Sequence, residues 1–236
     1  LIIPKTNSPK ESYNTNITAK KATGKVLPRI DKKFKNKKND ENAWMTSLNE
    51  REILTLLRKT KLDLGLDIAA SSFYKRKKYK YQNPPLTRTI EEQLDYVSNL
   101  IKNYTSLIYL EDPFDEEDFE SFAKLLKKHK DRMIVGDDLT VTSLKRLKKA
   151  IEKKSINAII IKPNQCGKLT ELKDVVELAR KNSIKIIFSH RSGETKETIL
   201  ADLAFGFGAD FFKCGIEGDA RTKKLERLVE IEKSLK

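Results

Sequence analysis

Ala158-Ile159-Ile160-Ile161-Lys162 places four apolar residues in a row and closes them with a lysine. Downstream, Leu172 to Arg180 carries Val175, Val176 and Ala179 at helical spacing. A short unbroken apolar run reads as a strand buried on both faces, and the amphipathic stretch reads as the helix that covers it. The same unit recurs on both sides. Apolar runs stand at Leu62–Leu66, Leu107–Leu110, Met133–Val135, Ile184–Phe188 and Phe211–Phe212. Between them, Ile90 to Asn103 carries Leu94, Val97, Leu100 and Ile101, and Leu144 to Lys154 carries Leu147 and Ile151 among basic residues. This alternation predicts an α/β fold with a parallel sheet under helices. Several units repeat at roughly 25–30 residues, the spacing of a βα unit in a closed barrel. No glycine-rich phosphate fingerprint follows the first run, and Gly206-Phe207-Gly208 reads as helix-end packing. A barrel is therefore expected over an open sheet.

The chain divides at about residue 60. Residues 61–236 are expected to form the barrel, and residues 1–60 a partial N-terminal barrel strand followed by a polar loop and helix region. Lys5 to Lys25 is rich in Asn, Thr, Ser and Lys with weak periodicity, and predicts a long loop or a poorly formed helix. Asn49 to Lys59 predicts a helix with Ile53, Leu54, Leu56 and Leu57 on one side and Ser47 or Asn49 as its cap.

The 236 residues include 48 Lys and Arg against 34 Asp and Glu, a formal charge of +14. That excess admits a nucleic-acid partner or attraction of an anionic metabolite. Lysines scattered over solvated helix faces are the simpler reading, since neither Lys32–Lys38 nor Lys75-Arg76-Lys77-Lys78 carries a nucleic-acid motif. No apolar run approaches the ~20 residues that span a bilayer, and Leu1-Ile2-Ile3-Pro4 is too short for a signal-peptide core. Cys166 and Cys214 stand apart without disulfide or zinc spacing, as expected in a reducing cytoplasm.

The residues that end the six runs are, in order, Asp67, Glu111, Asp137, Lys162, His190 and Lys213. Barrel enzymes place their catalytic groups at these strand ends. Three carboxylates brought together repel one another, and a divalent cation that prefers hard oxygen ligands removes the repulsion. Of the two lysines, one suits a base and the other an anion holder. Ser189-His190-Arg191-Ser192-Gly193 adds cationic and hydroxyl groups suited to a phosphate. Metal and phosphate sites together suggest a phosphorylated carboxylic acid as substrate. The bland alternative, salt bridges closing the barrel, fits less well because barrel interiors are normally filled by branched apolar side chains.

Five stretches and the tail carry a resemblance. Leu66-Asp67-Ile68-Ala69-Ala70-Ser71, Leu110-Glu111-Asp112-Pro113-Phe114, Gly136-Asp137-Asp138-Leu139-Thr140-Val141-Thr142, Lys162-Pro163-Asn164-Gln165, Ser189-His190-Arg191-Ser192-Gly193-Glu194-Thr195 and Lys213-Cys214-Gly215-Ile216 resemble the enolases, especially those of archaea. The resemblance runs from about residue 62 to the C-terminus. It implies a TIM-like (β/α) barrel of the enolase C-terminal type, incomplete at its N-terminal end, because no N-terminal domain with its lid loop and no first barrel strand is matched. By resemblance, Asp67, Glu111 and Asp137 are Mg2+ ligands, and Lys162 removes the proton from C2 of 2-phosphoglycerate. Arg191 and Ser192 match the phosphate binders, Lys213 the carboxylate contact and His190 a pocket histidine. Asp40-Glu41-Asn42-Ala43-Trp44 resembles, more faintly, the family's Asp-Glu-Gly-Gly or Asp-Glu-Gly-Ala loop, so Glu41 would help the C3 hydroxyl leave. Asn42 where the family has glycine is expected to disturb the loop's path. Leu1-Ile2-Ile3-Pro4 resembles the end of the second barrel strand.

The resemblance thus implies an enolase-type lyase that interconverts 2-phosphoglycerate and phosphoenolpyruvate, as a homo-oligomer or with a chain supplying an enolase N-terminal domain. A paralogue that binds metal, anion or a protein partner without turnover is the alternative. Nucleic-acid binding is the least favoured of the three, and no membrane partner is expected.

Overall fold

In the computed structural model, which describes residues 1–235, each of the six apolar runs lies on a β-strand. In chain order the strands are β1 (Ile2–Ile3), β2 (Asp63–Asp67), β3 (Tyr74–Lys75), β4 (Lys78–Gln82), β5 (Pro85–Arg88), β6 (Leu107–Glu111), β7 (Met133–Gly136), β8 (Ala158–Ile161), β9 (Lys185–Ser189) and β10 (Phe211–Lys213). The helices are α1 (Pro9–Ile30), α2 (Glu50–Leu57), α3 (Ile90–Asn103), α4 (Phe119–Lys128), α5 (Leu144–Lys153), α6 (Pro163–Cys166), α7 (Leu169–Lys181), α8 (Ile199–Gly206) and α9 (Asp219–Ser234). They belong to two units. One comprises Leu1 and Leu64–Ile187; the other comprises Ile2–Asp63 and the chain from Phe188 onward.

In the first unit β2, β6, β7, β8 and the start of β9 lie in that order, with the first three pairings parallel. Leu1 exchanges two backbone hydrogen bonds with Gly65, at 2.8 and 3.0 Å. Leu64, Leu107, Leu110, Ile134, Val135 and all of β8 are fully buried. Their cover comes from Val97 and Leu100 of α3, Phe122 and Leu125 of α4, Leu147 and Ala150 of α5, and Val175 and Ala179 of α7. Each large side chain buried in this way contributes about 1.5–3 kcal/mol. The helix starts are specified locally. Thr89 and Glu92 form a reciprocal capping box at α3, Asp118 accepts from the amide of Ser121 at α4, and Ser143 caps α5. The lysines of α5 reach outward, Lys149 and Lys153 pairing with Glu117 and Glu120 at 3.9 and 2.9 Å. Such exposed pairs add little stability.

Between β2 and α3 the chain makes a separate antiparallel sheet of β3, β4 and β5. Its turn is Arg76-Lys77, both at positive φ, 54° and 60°. Two-residue hairpin turns of this kind usually carry Asn-Gly or Gly-Gly, so the basic cluster hid the hairpin from a reading of the sequence. Tyr79 of β4 is fully buried, against Phe73 and Tyr74. The Arg88 guanidinium lies 3.6 Å from the centre of the Tyr96 ring and 4.2 Å from that of Tyr81.

The second unit contains the largest departure from expectation. Lys5 to Lys25, expected as a long loop or a poorly formed helix, lies largely within a 22-residue helix, Pro9–Ile30. Ser8 caps it by accepting from the Glu11 amide at 3.2 Å, Pro9 occupies the first turn, and Ala19 and Leu27 are buried. Two buried positions in six turns give almost no periodic signal. The helix packs against α9, where the Lys10 amide donates to Glu232 at 3.3 Å. Helix α2 follows expectation, with Asn49 rather than Ser47 as the cap. No helix among the described residues is long and apolar enough to cross a membrane.

His129 ends α4 and lies buried, 8% exposed, with Nε2 2.6 Å from the Ser98 hydroxyl of α3. Burial pushes its pKa below the ordinary 6.5. The unfolded chain therefore takes up a proton at higher pH than the folded one, and stability falls as pH drops through about 6.5 toward the folded value. In thermal unfolding compared at pH 8 and pH 5.5, His129→Gln is expected to lose less stability on acidification than the unsubstituted protein.

Candidate active site

Parallel register places the acidic strand ends of the first unit on neighbouring strands, but the oxygens of Asp67, Glu111 and Asp137 do not form a cluster within 4.8 Å among the described residues. Asp67 pairs directly with Glu111, and Gly65 with Tyr109 one step below, on the same face. Glu111 pairs with Val135, which puts Asp137 just beyond it. Glu111 is fully buried, Asp137 is 7% exposed and Asp67 is exposed. The Tyr109 phenol donates to Glu111 Oε2 at 2.5 Å. Burial, followed by the Glu111 charge, drives that phenol far above its usual range, so it remains a donor. The ring fits because residue 65 is glycine; a Cβ there would lie 2.9 Å from Tyr109 Cδ1.

Lys162, the first residue after β8, pairs through Nζ with Asp137 Oδ2. Thr142 orients the lysine's backbone, its hydroxyl accepting from the Lys162 amide at 2.9 Å and donating to Gln165 at 2.7 Å. Thr142 and Val141 both stand at positive φ, 50° and 42°. That region is unfavourable for β-branched residues, so the loop stores strain beside the lysine. The other oxygen of Asp137, Oδ1, is buried without a hydrogen-bond partner among the described residues.

Two acids escaped the sequence reading. The carboxylates whose oxygens gather within 4.8 Å are those of Asp112, Asp137 and Asp138. Asp112 accepts the amides of Asp137 at 3.1 Å and Asp138 at 2.7 Å, with a longer contact to that of Leu139 at 3.5 Å. Its oxygens are committed to shaping the loop after β7. Burial pushes its carboxyl well above the usual range against the pull of the Asp138 amide, and Asp137, Asp138 and Glu111 add to the rise. The signal was present in the sequence, since each missed acid directly follows one that was picked.

The remaining candidates lie in the second unit. His190 follows β9, and its amide donates to the Lys213 carbonyl at the end of β10 at 3.0 Å. Its ring is 5% exposed, with Nε2 3.6 Å from Glu41 Oε2. Arg191 is half-buried and Ser192 exposed. Glu194 folds back to accept the Arg191 amide at 3.2 Å and pairs with buried Lys224 at 2.5 Å. Lys224 also donates to the carbonyls of Thr195 and Ala220. Sequence reasoning missed Lys224 because it lies inside a lysine-rich helix.

Glu41 sits at the tip of a small hairpin. The Asn39 carbonyl accepts from the Asn42 amide, and the Ala43 carbonyl from the Asn39 amide, both at 2.9 Å. Asn42 stands at φ 60°, the left-handed conformation glycine favours, and donates through its side chain to the Glu217 carbonyl at 3.2 Å. Trp44 anchors the hairpin on α1, its indole donating to the Lys20 carbonyl at 3.2 Å. Lys20 binds the Asn42 carbonyl and, with Lys38, the Glu217 carboxylate at 2.7 Å. Those two hydrogen bonds hold Glu217 below its usual carboxylate range. At the far end, Asp31 accepts from the Ser47 hydroxyl at 2.6 Å, the Thr46 hydroxyl at 2.7 Å and the Ser47 amide at 2.8 Å.

The sequence profile of the family "Enolase, C-terminal TIM barrel domain" matches residues 40–236. The chain belongs to this family. It is 41% identical over 227 residues to the enolase of Pyrobaculum aerophilum, an alignment that covers 92% of this chain and 54% of that protein. It is 40% identical over 238 residues to the enolase of Methanosphaera stadtmanae, covering 95% and 57%. With the enolase of Sulfurisphaera tokodaii the identity is 46% over 173 residues, covering 73% and 41%. The chain thus spans little more than half the length of the first two relatives. Its fold class is that of the enolase C-terminal barrel.

Membership bears on Asn42, the residue expected to disturb an enolase loop built on glycine. It adopts the left-handed backbone itself, as Asn does more readily than most residues. The loop's position depends instead on Trp44, the only tryptophan of the chain, and on Gly24 beneath it, where a Cβ would stand 2.8 Å from the indole ring. Gly24→Val is expected to lift Trp44 and red-shift its fluorescence, while leaving far-ultraviolet circular dichroism nearly unchanged.

Proposed function

We propose that this chain carries the catalytic barrel of an enolase, interconverting 2-phosphoglycerate and phosphoenolpyruvate with Mg2+. The observation that supports this most is Asp137, with one oxygen on Lys162 and the other buried without a hydrogen-bond partner among the described residues. A buried anionic oxygen left unpaired is costly, and a hard divalent cation offsets that cost. Asp67, Glu111 and Asp137 are the residues proposed to hold it. Bound there, magnesium would supply the positive charge that makes a proton beside a carboxylate removable.

The chain's own groups then take the following roles. Lys162 removes the C2 proton, the electrons form the C2–C3 double bond, and the C3 hydroxyl leaves, taking up a proton as water. Glu41 assists that departure. Arg191 and Ser192 bind the phosphate, Lys213 binds the carboxylate and His190 lines the pocket. The free thiols of Cys166 and Cys214 fit a cytoplasmic setting. The same reading has the barrel work as a homo-oligomer or together with an enolase N-terminal domain.

Phosphoenolpyruvate formation, followed by ultraviolet absorbance with Mg2+ present, tests the reading. It should be measured for the chain alone and for the chain mixed with the portion of the P. aerophilum enolase that this chain does not span. Lys162→Ala is expected to lower turnover by about 10²–10⁴, the usual contribution of a positioned base. Stabilisation by Mg2+ without turnover in either mixture would favour a protein that binds but does not catalyse.

A further inference from the structure

Arg221, on α9, is 5% exposed and has three acceptors within the second unit. Nε is 3.2 Å from His190 Nδ1, and Nη2 donates to the carbonyls of Arg191 at 3.4 Å and Ser192 at 3.0 Å. Gly215 makes this approach possible, since a Cβ there would lie 2.5 Å from Arg221 Cδ and 2.8 Å from the Glu41 carbonyl oxygen. A guanidinium has donors only and keeps its charge at every pH of interest. Its Nε–H therefore requires a lone pair on His190 Nδ1, and a proton there would point at a fixed cation.

We propose that Arg221 is a positioning residue that fixes His190 as a neutral imidazole with its one proton on Nε2. Arg221 faces Nδ1 from α9, Glu41 faces Nε2 from the hairpin at 3.6 Å, and Lys213 of β10 meets the His190 amide through its carbonyl. The Lys224–Glu194 pair is spent on the neighbouring loop. Glu41 favours a proton on Nε2, and Arg221 excludes a second one on Nδ1. His190 is then a hydrogen-bond donor that cannot deliver a cation's charge. It can orient an oxygen atom on the Glu41 side, and it does not serve as an imidazolium acid. This catalytic consequence rests on the placement of His190 in the substrate pocket proposed above; the protonation state does not.

The chain has two histidines, so nitrogen-15 NMR of the labelled protein resolves both, with His190→Gln assigning the signals. Without substrate or metal, His190 is expected to show an unprotonated Nδ1 and a protonated Nε2. That pattern should persist from pH 8 to pH 5, well below the ordinary histidine pKa of about 6.5. Arg221→Met is expected to restore titration near that value, and Arg221→Lys to give an intermediate response. A proton on Nδ1, or an imidazolium already formed at pH 7 in the unsubstituted protein, would overturn the proposal even if both variants fail to fold. Because the readout needs no turnover, an inactive chain with the expected spectrum would count against the enolase reading alone.

Discussion

Adjacent parallel strands carry carboxyl groups at their ends, and Glu111, Asp112 and Asp137 are all nearly or fully buried. Like charges so placed destabilise a fold unless each one is met. The first unit meets them by three different means. Glu111 has the Tyr109 phenol, Asp112 has backbone amides of the loop after β7, and Asp137 has Lys162 on one oxygen. The phenol needs Gly65, the amides need a tightly turned loop, and the lysine needs Thr142 held in an unfavourable conformation. Much of the local geometry can be read as a response to this accumulation of acid. Among the described residues, the second oxygen of Asp137 is buried without a hydrogen-bond partner.

The second unit solves a different problem, that of holding a short polar hairpin still. Glu217 gathers Lys20 and Lys38, Asp31 gathers Thr46 and Ser47, and Trp44 packs against Gly24. Buried or half-buried polar networks of this kind order a segment when every member is satisfied. Helix α1, so poor in periodic hydrophobic residues, serves as the platform for that network.

The strand and helix boundaries of the first unit were legible because both faces of its sheet are closed off. Apolar runs such as Ala158–Ile161 have no other physical use, and capping residues such as Thr89 mark the helix starts. What stayed hidden depended on tertiary partners. The hairpin at Arg76-Lys77 uses residues that seldom take positive φ, and α1 is held by contacts to Trp44 and α9 that no window of sequence contains. The strand-end residues were legible as a set for the same reason the strands were. Arg221 and Lys224 were not, because burial distinguishes them from the surrounding lysines and burial cannot be seen in a charge pattern.

Gly65 and Tyr109 share one volume across the β2–β6 pairing, the ring occupying space that a glycine leaves empty. Neither position is free to drift alone. Within a lineage, a bulkier residue at 65 would first require a smaller one at 109, and that exchange would remove the phenol that donates to Glu111. The two sites should therefore change together, and any descendant that loses the tyrosine also loses its hydrogen bond to a buried glutamate.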